Sequence, residues 1–264
     1  MALPRGMEAG VQPRSRGECC RAPGDRTEHI AGIRTAGSAT AAVRRLADPA
    51  VPLLAAALAR GGASKRPTLV RAAANAATEH GVAVIEPALR DRDRVVVLAA
   101  LDALDAAGAA GVVPSDLLDG AFDDAAAHAS RTLAAHAALA ASDRPLRRAL
   151  EDERDLARRL VVAVLALRHG DRVGDAVRVV DGAEGQRRAL GVEALDVLIS
   201  REEATIALPL VRRDLSPDEQ AVALRHLVPE ERSREEWIAD MAEDPEGVWR
   251  SPWLALCARH ASGR

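Results

Sequence analysis

The side chains of this 264-residue chain that are suited to chemistry are seven histidines, a recurring set of arginine doublets and three tryptophans. His128 and His136 fall eight apart in a stretch that reads as helix, so they share a broad face. At 1.5 Å rise per residue they stand about 12 Å apart along the axis, too far to hold one ion. His80 and His169 each precede a glycine, where the negative end of a helix accounts for them. The doublets Arg147-Arg148, Arg158-Arg159, Arg187-Arg188 and Arg212-Arg213 would, if aligned, form a ridge for phosphates or an acidic peptide. Glu151, Asp152, Glu153, Glu184, Glu202 and Glu203 lie among them, which favours local ion pairs on solvated faces. Trp249 and Trp253 are four apart, as are Trp237 and Met241, so each pair shares a face if helical. Arg147, Arg148, Arg212, Arg213, Trp249 and Trp253 are therefore the residues to weigh for partner binding, against a plain role in covering the end of the core. Gly108-Ala109-Ala110-Gly111 lacks the Lys-Ser/Thr of a phosphate-cradling loop, and no nucleophile elbow occurs. The pattern points to no catalytic residue, metal ligand or cofactor.

Composition narrows the class. With 48% hydrophobic and 28% charged residues the chain reads as soluble and globular, but it has no Tyr, one Phe and three Trp. A core of Ala, Leu and Val suits closely packed helices, and no sustained alternation of the kind strands need is present. A net charge of -3 makes a dedicated nucleic-acid binder a poor fit. The apolar runs Ala50 to Ala59 and Leu160 to Leu167 fall well short of the roughly 20 residues that span a bilayer. Cys19, Cys20 and Cys257 form neither a disulfide framework nor a zinc motif, so a reducing cytoplasm is the expected location. Residues 1–35 are rich in Arg, Gly and Pro without an apolar h-region, and read as a disordered tail before a helical domain over 36–264.

An acidic residue recurs roughly every thirty positions, at Asp91, Asp123, Asp152, Asp181, Asp214 and Asp244, each after an apolar stretch. Taken as turns, these divide the chain into helix pairs. Ala41–Ala47 and Pro49–Arg60 make a weak first unit. Pro67–His80 pairs with Val82–Arg90, Asp93–Ala107 with Pro114–Phe122, and Asp124–Ala141 with Pro145–Leu150. Arg154–Arg168 pairs with Val173–Val180, and Gly185–Ile199 with Glu202–Arg212. Ser216-Pro217-Asp218-Glu219 and Ser233-Arg234-Glu235-Glu236 are capping boxes, and Ser251-Pro252 opens a closing helix. The expected fold is all-α: a right-handed α-solenoid of stacked antiparallel helix pairs.

Leu-x-Asp followed six residues later by Arg resembles the HEAT repeat, including its phycobilisome-lyase-like subclass. Asp152 with Arg158, Asp181 with Arg187 and Asp244 with Arg250 keep both residues, whereas Val97, Ala129 and Gln220 stand at the Arg position of the other units. The resemblance implies a ladder in which the carboxylate holds the amides of its turn and the arginine reaches a neighbouring repeat. The absence of any His-Glu dipeptide separates the chain from HEAT-type metal hydroxylases. A narrower likeness covers residues 189–260, where Val192 to Leu198 and Ile206 to Leu210 resemble the HEAT region attached to bacterial membrane proteins with a nucleotide-translocase or major-facilitator-like domain. This implies either a freestanding relative or a fragment of a larger protein.

Repeat architecture without a chemical motif leads to the expectation of a non-catalytic scaffold that binds another protein on the concave surface of its second helices. One alternative is a regulatory module of a membrane transporter or of a cyclic nucleotide-linked protein. Another is a HEAT-like enzyme of the bilin lyase or DNA glycosylase type.

Overall fold

Asp93 accepts the amide of Val95 and so opens a helix whose next eleven residues are almost all apolar. That helix is central for a simple reason: Val96 to Leu101 are buried without a break, and exposure is confined to Val95 and, from Asp102 on, the last turns. The computed structural model describes residues 45, 48–62, 64–74, 79–109, 111, 113–228 and 231–263. The expected tail 1–35 lies outside the described residues, as does the Ala41–Ala47 helix apart from Arg45.

Twelve α-helices, three short 3-10 turns and no strand are found among them. In chain order they are α1 (Val51–Arg60), α2 (Arg66–Ala74), α3 (Glu79–Ile85), α4 (Arg94–Ala106), α5 (Ser115–Ala138), α6 (Arg144–His169) and α7 (Asp171–Gly182). They continue as α8 (Gly185–Leu198), α9 (Arg201–Val211), α10 (Pro217–Ala223), α11 (Arg234–Glu243) and α12 (Pro252–Ser262). The all-helical class is as the composition requires. No helix among the described residues is long and apolar enough to cross a membrane.

Two of the expected acidic turns are not turns. Asp123 lies inside the continuous α5, and Asp152 inside the continuous α6. Neither is followed by Gly or Pro; the next residues are Asp-Ala-Ala-Ala and Glu-Arg-Asp-Leu, and a solvated acid among good helix formers does not stop a helix. Four short helices thus become two long ones. Asp91, Asp214 and Asp244 do stand at breaks, and Asp181 lies in the last turn of α7.

The long α5–α6 hairpin carries most of the other elements of the unit Thr40–Arg264. α4, α7, α9 and α12 pack on α6, while α10 and α11 pack on α5. A second apolar cluster forms at one end of the hairpin. There Ala135, Leu139, Leu146, Ala149 and Leu150 meet Trp237, Ile238, Met241, Trp249 and Leu254. The last helix pair therefore packs against α5 and α6, well upstream in the chain, so contacts do not run only between sequential neighbours.

Polar ties fix these joins. Asp143, which is buried, takes both Arg234 Nε and Nη2 at 2.8 Å, binding the start of α11 to the α5–α6 turn. Ser130 Oγ donates to Leu224 O at 2.8 Å. Glu203 closes a capping box with Ser200 at the start of α9 and also receives Arg168 at 2.7 Å, while His169 Nε2 lies 2.9 Å from it, both from the end of α6. Arg168 pairs with Asp119 as well. Burial works against the charge of Glu203, but its hydrogen bonds from Ser200, Arg168 and His169 outweigh that and hold its carboxyl at about 2.

Two glycines matter for position. Gly170 (φ 83°) makes a one-residue link between α6 and α7, in backbone space that other residues avoid. Gly191 lets α8 cross α7 closely: a Cβ there would meet Val180 Cγ2 at 3.0 Å, Val179 Cγ1 at 3.1 Å and Ala176 O at 3.2 Å.

Gly191→Val is expected to destabilise the protein by about 1–3 kcal/mol through overpacking. Gly174→Ala in α7, where an added Cβ meets nothing within 4 Å, should stabilise it by about 0.5–1 kcal/mol; denaturant melts of both decide the point. Because the folded-state pKa of Glu203 lies below its ordinary 4.5, its contribution is complete above that value and is lost as pH falls toward about 2. Glu203→Gln should lower the melting temperature at neutral pH and flatten its decline in acid.

Candidate functional site

The ladder residues are best followed one carboxylate at a time. Asp244 ends α11 in the left-handed conformation (φ 41°), and its two oxygens accept the amides of Val248 (2.6 Å), Trp249 (3.0 Å) and Arg250 (2.9 Å). Arg250, at φ 55°, donates to Gly247 O at 2.6 Å and to Arg92 O at 3.3 Å. This loop is thus folded around one carboxylate and tied to the start of α4. Asp181 takes its cations from elsewhere than Arg187: Arg158 Nη2 at 2.6 Å from α6, and Arg213 Nε at 3.1 Å from the segment after α9. Burial disfavours its charge, but these two guanidiniums hold the carboxyl below its usual range. Arg187 is exposed at the start of α8. Asp152 is 60% exposed with Arg148 at 3.8 Å, so it holds no turn and does not meet Arg158. The offset of six survives as a local arrangement only around Asp244.

Members of different arginine doublets meet in two places, Arg158 with Arg213 on Asp181 and Arg188 with Arg212 along one groove. Arg147 Nη1 donates to His136 O and Leu139 O at the end of α5, which satisfies carbonyls the helix leaves open. Arg148 is exposed beside Glu151 at 3.2 Å, and Arg212 pairs with Asp214 at 2.6 Å. Arg188 Nε donates to Ala183 O at 3.0 Å. Each of these four cations has a local partner.

Trp249 and Trp253 do not share a face, because Trp249 precedes α12 and the helical spacing rule does not reach it. Trp249 is 2% exposed, donates Nε1–H to Asp240 Oδ2 at 3.0 Å and stands edge-on to Trp237, 6.1 Å away. Trp253 is 57% exposed, close to the exposed Leu256.

Beneath Trp249 lies the most enclosed polar group of the structure. His128 is 0% exposed, its ring 6.0 Å from Trp249, and its Nε2 is 3.0 Å from Glu153 Oε2. Burial pulls the His128 pKa down, more strongly than Glu153 pulls it up. Ser251 also hydrogen-bonds Glu153, so the carboxylate stands between serine and imidazole. The imidazole is fully buried while Glu153 is 14% exposed, and the cluster joins α5, α6 and the link before α12. Among the described residues no group of three or more His, Cys, Asp or Glu is placed to hold a metal ion. The side chain of His80 lies outside the described residues.

The feature that sequence reasoning missed is the outer face of α8. Leu190 is 56% and Val197 81% exposed, with Ala194 between them also exposed, while Gly191 and Leu195 face inward. Val179 of α7 is exposed near the same crossing. Positions 190, 194 and 197 fall at i, i+4 and i+7, a ridge on one side of a helix. On another side of α8, Arg188, Ala189, Val192, Leu208 and Arg212 line a groove of about 480 Å³ between α8 and α9. The available signal was that α8 carries apolar residues on two faces when one suffices for packing.

Comparison with protein-family models, with curated proteins and with solved structures finds no match to this chain.

Truncating Trp249 to Ala should cost about 3–5 kcal/mol of unfolding free energy, as for a buried aromatic. Trp253→Ala should change stability by no more than about 0.5 kcal/mol. Urea unfolding of the two variants separates the interior ring from the surface one.

Proposed function

We propose that the chain is a non-catalytic scaffold of HEAT-like helix pairs that binds another protein through the outer face of α8. The observation that carries this reading is the ridge of Leu190, Ala194 and Val197. Apolar side chains on the same helix pack inward onto α7, and the outward set is left exposed among the described residues. Patches of this kind mark interaction sites when they are contiguous and rimmed by polar residues, and here Gln186, Arg187 and Glu193 form the rim. The i, i+4, i+7 spacing suits a helix of the partner, laid along the ridge with Ala194 allowing close approach. Support for the HEAT-like part comes from antiparallel neighbours such as α7–α8 and α11–α12, the carboxylate-held loop at Asp244 and the inter-helix link from Arg158 to Asp181.

The test is affinity capture from native lysate with the intact chain and with Leu190→Glu/Val197→Glu. A stoichiometric partner should co-purify with the parent and be lost from the double variant. Val222→Glu, at an exposed position on α10, should retain it, and all three proteins should melt within about 0.5 kcal/mol of one another. A partner that persists on the double variant, or none at all, sinks the proposal.

A further inference from the structure

The enclosed histidine bears on how the last helix pair is held, independently of what α8 binds. His128 Nε2–H is directed at Glu153 Oε2, which leaves Nδ1 as the site for any second proton. Nδ1 is buried and has no hydrogen-bond partner among the described residues. A proton placed there would be an unsatisfied donor and a charge at once, in a site with no solvent exposure. The charged groups facing it are Glu153 from α6, Arg94 from α4 and Asp124 from α5 itself. The link between α11 and α12 contributes Trp249, the Ser251 hydroxyl on Glu153, and Arg250, whose charge acts on Arg94. Arg94 is already neutralised by Asp124 at 3.2 Å and also donates to Val248 O at 2.9 Å. Only one carboxylate, Glu153, touches the imidazole, and it touches the nitrogen that already carries a proton.

We propose that the α11–α12 pair is a clasp released by acid: protonation of His128 expels Trp249 from its seat on the α5–α6 hairpin and frees the pair while the hairpin remains helical. Trp249 stands edge-on to the imidazole with ring centroids 6.0 Å apart, so its displacement opens that side of the ring to water. The clasp holds otherwise through Asp143–Arg234, Arg94 to Val248 O and Arg250 to Arg92 O. Those ties use arginines, which do not titrate in this range. The sign follows from burial. A histidine held neutral in the folded state stabilises the closed form above its ordinary pKa of 6.5 and loses that contribution as pH falls below it. Glu153, whose carboxyl the hydrogen bonds from His128 and Ser251 hold low despite burial, stays charged through the same range.

Trp253→Phe in the full chain leaves only Trp237 and Trp249 to fluoresce, and both lie in the clasp. In that background, emission should shift to the red, with binding of an apolar dye, below about pH 6.5, while far-UV ellipticity is kept. His128→Gln retains an N–H for Glu153 but cannot take the second proton, and should move the midpoint down by about one pH unit or more. His226→Gln is the control: this histidine is exposed after α10, and its replacement should leave the midpoint in place. Emission that is constant until the helices themselves melt overturns the proposal, as does a His128→Gln variant that titrates like its parent. If that variant does not fold, ring carbon shifts of His128 in the parent decide: they must titrate together with the emission, and a ring that stays neutral while emission moves overturns the proposal.

Discussion

The α5–α6 hairpin, on which most of the other helices pack, is built with many small buried residues. Ala121, Ala125, Ala126, Ala129 and Ala135 on one helix and Ala149 and Ala157 on the other are buried, with leucines and valines filling the remaining volume. A chain with one phenylalanine, three tryptophans and no tyrosine has few large rings with which to span wider gaps, so most of its helices must lie near one another to exclude water. The same closeness makes cross-seam polar contacts short and specific. His128 meets Glu153, and Arg147 reaches the carbonyls at the end of α5. Other helices then have two long, fixed flanks on which to pack.

The helical class was legible because composition leaves no alternative: Ala, Leu and Val without alternation will not form sheets. Both capping boxes that the sequence displays, at Ser216 and Ser233, are formed, since their four residues are adjacent in the chain and need no tertiary help. Ser200 with Glu203 forms a third. Boundaries were less legible where the signal was a charge rather than a conformational constraint. Asp123 and Asp152 looked like turn residues by their spacing, yet an aspartate restricts the backbone far less than Gly170 does.

Site residues fared differently for the same reason. The offset between an aspartate and the arginine six positions on is a local property, but the partner of Arg158 is Asp181, twenty-three residues away, and that of Asp181 includes Arg213. Nothing local encodes such a choice. Trp249 could not be told from Trp253 by spacing, because one lies before a helix and the other inside it. The ridge on α8 is hard to read from sequence because its apolar residues stand at helical spacing on two faces, and only burial shows that Gly191 and Leu195 turn inward while Leu190 and Val197 do not.

The return of α11 and α12 to the α5–α6 hairpin has a consequence in time. Asp143 is synthesised 91 residues before Arg234, the cation that covers it. At ribosomal rates of about 5–20 residues per second, the end of the hairpin stands for something on the order of ten seconds with Leu139, Leu146 and Leu150 uncovered. The nascent chain therefore passes through a stage in which its longest helices are complete and one end is still adhesive. Whatever shelters that end, whether a neighbouring segment or a chaperone, acts on an intermediate defined by this packing order.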